Sequence, residues 1–96
     1  MKEITVSDLK SKQDNNEQHQ LIDVRESYEQ DICSIGGELI PMGEILDNID
    51  KIAKDKPVIV HCRSGQRSAA IIMQLETMGY DNLYNLKGGI LAWSDE

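Results

Sequence analysis

One cysteine and two arginines fall within a six-residue loop whose composition suits thiol chemistry. Cys62 stands two positions after the apolar run 58–60, with His61 between them, and Arg63 and Arg67 stand one and five positions after Cys62. The thiolate, and not the thiol, is the nucleophile, and nearby cations and backbone N–H groups lower the pKa of a cysteine. The sequence therefore predicts that Cys62 is a reactive thiolate and not an inert core thiol.

Backbone N–H groups are expected to contribute most to this activation. A loop between a strand and a helix turns its N–H groups inward, where they bind anions. Each hydrogen bond to a charged group contributes about 1.5–3 kcal/mol, whereas a helix dipole contributes about 0.3–1 kcal/mol. The loop also carries two positive charges in a chain of net charge −7, so we expect it to attract an anionic substrate.

The elements that must position Cys62 alternate between strands and helices. Short apolar runs predict strands near residues 4–6, 21–24, 39–40, 58–60 and 82–86. Helical spacing of apolar residues predicts an amphipathic helix over 42–53, a second over 68–78 and a short closing helix at 90–93. This alternation predicts an α/β fold, with a small parallel sheet of about five strands covered by helices on both faces. Sites in such sheets form at the carboxyl ends of the strands, where Cys62 would lie.

Length and charge limit the other possibilities. The 96 residues are enough for one domain, 1–96, and the expected state is a monomer. Lys and Arg total 10 against 17 Asp and Glu, which argues against binding to nucleic acid or to an anionic membrane surface. No stretch approaches the roughly 18 apolar residues of a membrane span.

Cysteine usage indicates the compartment and argues against a metal site. Cys33 and Cys62 are too few for the disulfide framework of a small secreted domain, so a cytoplasmic location is expected. His19 and His61 are not spaced like metal ligands beside them. We expect no metal and no cofactor, because the thiol can perform the chemistry itself.

Several motifs in order along the chain resemble those of single-domain rhodaneses, which are sulfurtransferases. They are Leu21-Ile22-Asp23-Val24-Arg25-Glu26 with Glu29, Ile40-Pro41, Val60-His61-Cys62-Arg63-Ser64-Gly65-Gln66-Arg67-Ser68, and Leu86-Lys87-Gly88-Gly89-Ile90-Leu91-Ala92-Trp93. The resemblance implies that Cys62 takes sulfane sulfur from thiosulfate or a protein persulfide, becomes a persulfide, and passes the sulfur to a thiol or cyanide. It also implies that the loop binds the substrate through Arg63, Ser64, Gly65, Gln66, Arg67 and Ser68.

Loop length separates this resemblance from a related one. Four residues lie between Cys62 and Arg67, whereas cysteine phosphatases place five there and form a wider cradle that fits phosphate. The shorter loop favours sulfur transfer over the alternative of a cysteine phosphatase or arsenate reductase.

The segment Gly36-Gly37-Glu38-Leu39-Ile40-Pro41 resembles rhodanese domains fused behind the adenylating enzymes of molybdopterin and thiamine biosynthesis. Many other relatives have His and Pro in place of Ser34 and Gly36. The fused domains pass sulfur to the C-terminal Gly-Gly of a ubiquitin-like carrier. A protein-to-protein sulfur-relay module is therefore a second hypothesis, with a sulfur-carrier protein as partner.

For four residues near the loop, both a functional and a structural role are considered. Asp23 and Arg25 either shape the rim of the site or form a structural ion pair, with Glu29 as a candidate partner of Arg25. His61 is expected to be a packed residue and not a general base. Cys33 is either a small hydrophobe or a thiol that resolves a Cys62 persulfide.

Overall fold

A fully parallel five-stranded sheet organises the chain. The computed structural model describes residues 1–94. The strands are β1 (Lys2–Ile4), β2 (Gln20–Asp23), β3 (Glu38–Leu39), β4 (Val58–His61) and β5 (Leu83–Leu86). They lie in the order β1-β5-β4-β2-β3. The strand that leads into Cys62 is therefore central, between β2 and β5, and the predicted sheet is confirmed.

Within residues 1–94, three α-helices lie between strands and a fourth follows the last strand. They are α1 (Val6–Asp14), α2 (Ser27–Ile32), α3 (Gln66–Glu76) and α4 (Gly89–Ser94). None of the helices within residues 1–94 is long and apolar enough to cross a membrane.

Alternate side chains of β4 pack into two hydrophobic clusters, one on each face of the sheet. Val58 and Val60 pack in a cluster that includes Ile72 of α3, and Ile59 packs on the other face in a cluster that includes Leu9 of α1. This alternation is the period-two pattern of a strand, here buried on both faces as a central parallel strand requires. The prediction that helices cover both faces is confirmed.

The predicted amphipathic helix over 42–53 is wrong. The segment consists of two 3₁₀ helices, Met42–Glu44 and Leu46–Lys51, and Asn48 has non-helical angles (φ −122°, ψ 26°) within the second. The side-chain amide of Asn48 donates to the carbonyl of Glu44 at 2.8 Å. Asn competes in this way with the backbone for hydrogen bonds, which disfavours a continuous α-helix.

The first strand lies two residues earlier than predicted, because Thr5 ends it. Its Oγ1 accepts a hydrogen bond from the N–H of Asp8 at 3.1 Å and so forms the N-cap of α1. Val6, which the sequence placed in the strand, is the first helical residue and is buried.

Candidate active site

Cys62 lies where β4 ends, and its sulfur is enclosed by the start of α3. The residue is only 1% exposed. Its Sγ accepts hydrogen bonds from the N–H of Gly65 at 3.1 Å and the N–H of Ser68 at 3.4 Å. Gly65 has φ +106° and stands at the N-cap of α3, so the chain turns sharply enough to aim both N–H groups at one atom. The predicted cradle of N–H groups around the sulfur is present.

These hydrogen bonds make Cys62 more acidic than an ordinary thiol. Burial is the largest single influence and raises the pKa of Cys62, but the hydrogen bonds at its sulfur, among them those from the backbone N–H groups of Ser68, Gly65 and Ser64, together lower that pKa by more. A thiolate held by N–H groups needs no general base to form.

A buried amide that the sequence analysis missed supports the same loop. Asn85 of β5 is 5% exposed, and its Nδ2 donates to the carbonyl of Gly65 at 3.1 Å. The hydroxyl of Ser68 donates to Oδ1 of Asn85 at 2.6 Å and lies 3.4 Å from the Sγ of Cys62. A signal was available, because an asparagine between buried leucines in a predicted strand needs hydrogen-bond partners.

Arg67 pairs with a carboxylate from a different helix. Its Nη1 and Nη2 donate to the two oxygens of Glu29, on α2, at 2.7 and 2.9 Å. This pairing lowers the pKa of Glu29 to about 2 and raises the pKa of Arg67. Both groups therefore stay charged throughout the neutral range, and α2 is attached to the first turn of α3.

Asp23 and Arg25 form a buried ion pair beside the loop. The Nε and Nη2 of Arg25 donate to the two carboxylate oxygens of Asp23 at 2.9 and 2.8 Å. Nη2 also donates to the carbonyl of Cys33 at 2.6 Å. The carboxylate partner of Arg25 is therefore Asp23, and the suggested partner Glu29 offers Arg25 only its backbone carbonyl, at 3.4 Å.

His61 is fully buried, and its Nδ1 lies 3.3 Å from the backbone carbonyl oxygen of Cys62. Within residues 1–94 its Nε2 has no hydrogen-bond partner, and the nearest carboxylate oxygen, Oδ2 of Asp23, lies 3.8 Å away. Burial lowers the pKa of His61, which favours the neutral ring. The contacts of His61 match those of a packed residue.

The remaining loop residues face outward. Arg63, Ser64 and Gln66 are exposed, and Arg63 forms no ion pair within the described part of the chain. Arg63 lines a cleft of about 260 Å³ beside the loop, which Cys33, Ile32 and Leu91 also line.

A larger cleft of about 420 Å³ lies on the α1 side, but no residue of the Cys62 loop lines it, and the carboxylates of Glu3, Asp8 and Glu17 do. Within residues 1–94 no group of three or more His, Cys, Asp or Glu residues could hold a metal ion.

Gly89 permits α4 to close against the loop. The N–H of Ile90 donates to the carbonyl of Cys62 at 3.0 Å, and the N–H of Leu91 donates to that of Arg63 at 3.1 Å. A Cβ at Gly89 would lie 2.7 Å from the carbonyl oxygen of Cys62 and even closer to that of Arg63. Only glycine fits this approach.

Comparison with known proteins agrees with the fold. The family model described as Rhodanese-like domain matches residues 5–96. A putative sulfurtransferase of Bacillus subtilis, YtwF, is 35% identical over 100% of this chain and 93% of its own length. A probable adenylyltransferase/sulfurtransferase of Mycobacterium tuberculosis, MoeZ, is 33% identical over 97% of this chain but only 24% of its own length.

A solved structure is similar over nearly its whole length. The rhodanese-like domain protein of Staphylococcus aureus superposes with a TM-score of 0.89 and 36% identity, over 97% of this chain and 91% of that one. The family match begins directly after β1 and covers the rest of the chain, and the identity with YtwF extends over the whole chain. The chain therefore belongs to the rhodanese-like domain family.

Proposed function

We propose that this protein transfers sulfane sulfur through a persulfide on Cys62. The observation that carries the proposal is the pair of N–H groups, from Gly65 and Ser68, that meet the sulfur at 3.1 and 3.4 Å. They stabilise negative charge on a thiol that is otherwise buried among apolar side chains. The names of the relatives YtwF and MoeZ support the same chemistry.

The reaction has two balanced half-steps. The thiolate of Cys62 attacks the outer sulfur of thiosulfate, the S–S bond of the donor breaks, and sulfite leaves with the electron pair. Cyanide or a thiolate then attacks the outer sulfur of the persulfide, and the thiolate of Cys62 leaves. A protein persulfide can replace thiosulfate in the first step, with a thiolate as the leaving group.

We assign different roles to the two arginines of the loop. Arg63 is exposed and free of ion pairs within residues 1–94, so its charge is available to an anionic donor. The charge of Arg67 is offset by Glu29, so its first role is to hold the loop against α2. The exposed residues Ser64 and Gln66 complete the rim around an incoming anion.

The first experiment measures thiocyanate formation from thiosulfate and cyanide. Wild type and Cys33→Ser, which changes the other cysteine, should turn over at similar rates, and Cys62→Ser should fall to the rate without protein. Equal rates for wild type and Cys62→Ser would contradict the proposal. Hydrolysis of an aryl phosphate faster than sulfur transfer would replace it with phosphatase chemistry.

Protein-to-protein relay is a second candidate, supported by the apolar surface around the cleft. Helix α2 has no buried residue, and its Ile32 is 82% exposed and lines the cleft with Leu91, which is 42% exposed. An apolar rim beside the Cys62 loop, whose Arg63 lines the same cleft, suits a protein donor or acceptor better than a small anion. The fusion of a similar domain to an adenylyltransferase in MoeZ agrees with a protein partner.

Two surface variants separate relay from small-molecule transfer. We expect Ile32→Ser with Leu91→Ser to slow the loading of Cys62 by a persulfidated cysteine desulfurase, while turnover with thiosulfate is unchanged. Met73→Ser is the matched control, because Met73 is 59% exposed on α3 and does not line the cleft. Loading that is unaffected by the double change would argue against this surface as the docking site.

A further inference from the structure

The amide of Asn85 can have only one orientation. Its Nδ2 lies 3.1 Å from the carbonyl oxygen of Gly65, which is an acceptor, so the amide nitrogen must face Gly65. The amide oxygen then faces the hydroxyl of Ser68 at 2.6 Å. Because an amide oxygen cannot donate, Ser68 must be the donor in that hydrogen bond.

The hydroxyl of Ser68 therefore has one proton and two competing acceptors. A serine hydroxyl donates once and accepts through two lone pairs. While its proton is held by Oδ1 of Asn85, the oxygen presents lone pairs to the Sγ of Cys62, which is 3.4 Å away. In this arrangement the S–H of Cys62 can donate to Ser68, but a thiolate receives no hydrogen bond from that hydroxyl.

The backbone donors do not depend on this choice. The N–H groups of Gly65 and Ser68 point at the Sγ of Cys62 whichever way the hydroxyl turns. The hydroxyl is thus the one adjustable contact of the sulfur within the described residues. Cys62, Ser68 and Asn85 are all buried, at most 5% exposed. Water therefore does not easily replace a hydrogen-bond partner that one of them loses.

We propose that Asn85 is a positioning residue that holds the proton of the Ser68 hydroxyl away from Cys62 and thereby limits negative charge on its sulfur. The consequence for sulfur transfer rests on the proposed function. In the free thiolate the negative charge lies on Sγ, whereas in the Cys62 persulfide it lies on the outer sulfur. A Ser68 hydroxyl that turns its lone pairs to Sγ therefore destabilises the free thiolate but not the persulfide. Asn85 would thus favour retention of bound sulfur until an acceptor arrives.

The sign of a pKa change tests this orientation. The readout is the pH dependence of iodoacetamide alkylation at Cys62, followed by peptide mass spectrometry in a Cys33→Ser background, and it involves no sulfur transfer. Under the proposal, Ser68→Ala removes an acceptor for the thiol and raises the alkylation rate roughly threefold at a pH below the pKa of Cys62. If the Ser68 hydroxyl instead donates to the thiolate, Ser68→Ala should slow the alkylation of Cys62 by a similar factor. That result would overturn the proposal.

The Asn85→Leu variant gives a second test, again through the direction in which the alkylation rate of Cys62 changes. Without the amide oxygen, the hydroxyl of Ser68 can turn its proton to the sulfur, and we expect faster alkylation of Cys62 than in wild type. Ser68→Ala in the Asn85→Leu background should then slow alkylation, opposite to its effect in wild type. The same sign in both backgrounds would overturn the proposal. If Asn85→Leu fails to fold by circular dichroism, Ser68→Ala in the wild-type background alone decides.

The outcome is separable from that of the proposed function. Thiocyanate formation with Cys62→Ser tests whether sulfur is transferred at all. The alkylation rates test only how Asn85 and Ser68 set the charge on Cys62. Each result can fail while the other stands.

Discussion

The guanidinium of Arg67 and the carboxylate of Glu29 form a two-pronged ion pair that joins α3 to α2. The two N···O distances are 2.7 and 2.9 Å. Glu29 also forms a capping box with Glu26 at the start of α2. The same carboxylate therefore stabilises the N-terminus of this helix and binds Arg67. Since α2 has no buried residue, this contact is a main attachment of the helix to the rest of the protein.

Replacing Glu29 with Gln should make stability less dependent on pH. The pKa of Glu29 is lowered from 4.5 to about 2, so its contribution is present above pH 4.5 and is lost as pH falls toward 2. The Arg67 side chain is 34% exposed, and solvent screening limits the expected loss at neutral pH to about 1 kcal/mol. Urea unfolding of wild type and Glu29→Gln at pH 7 and pH 3 measures this. The difference between the two proteins should be smaller at pH 3 than at pH 7, because part of the contribution of Glu29 is already lost there; a constant difference would contradict the expectation.

Replacing Gly65 with Ala should raise the pKa of Cys62. Gly65 has φ +106°, where an L side chain is strained, so alanine would rotate the peptide whose N–H donates to the sulfur. We expect alkylation of Cys62 to slow by roughly tenfold at neutral pH. Gly79→Ala is the control, because Gly79 has φ +98° and open space around it at the far end of α3. A similar slowing in both variants would trace the effect to general destabilisation.

Replacing Gly89 with Ala should disrupt the loop from the opposite side. The added Cβ would overlap the carbonyl oxygens of Cys62 and Arg63, which accept hydrogen bonds from the first turn of α4. We expect a loss of about 2 kcal/mol or more in the free energy of unfolding and a large loss of thiocyanate formation. Gly43→Ala, with nothing within 4 Å of the new Cβ, should change neither. Wild-type activity in Gly89→Ala would show that α4 can move without cost.

Breaking the pair of Asp23 and Arg25 should cost more stability than breaking a surface pair. The two side chains are 0% and 4% exposed, and Asp23→Asn would leave the guanidinium of Arg25 buried without a counter-charge. The expected loss is about 3–5 kcal/mol. Glu17→Gln, which breaks a pair between Lys12 and a half-exposed carboxylate, should cost under about 1 kcal/mol. Thermal or urea unfolding of both variants measures the contrast, and equal losses would contradict it.

The features predicted well are those that local patterns determine. The run 58–60 is apolar at every position and is therefore a strand buried on both faces, and Cys62 follows it wherever the sheet is placed. The order of strands and helices along the chain limits the sheet to a parallel one. The position of the nucleophile at the carboxyl end of the central strand follows from these two facts.

The features that were missed depend on partners distant in sequence. Asn85 stands 20 residues from Gly65 and 17 from Ser68, so its hydrogen bonds could not be inferred from the loop. Glu29 stands 38 residues before Arg67. The sequence analysis suggested Arg25 as its partner, because Arg25 is nearer in the chain. The helix over 42–53 failed for a different reason: Asn48 diverts its amide to the carbonyl of Glu44, a local bond that the apolar spacing does not show.

Intact-mass spectrometry after incubation with thiosulfate tests the central claim most directly, because it detects the intermediate without assuming an acceptor. We predict that wild type and Cys33→Ser gain the mass of one sulfur atom, located by peptide mapping on Cys62, and return to the starting mass on addition of cyanide. Cys62→Ser should gain nothing. A wild-type protein that stays unmodified with thiosulfate and with a persulfidated desulfurase, or that carries the sulfur on Cys33, would contradict the account.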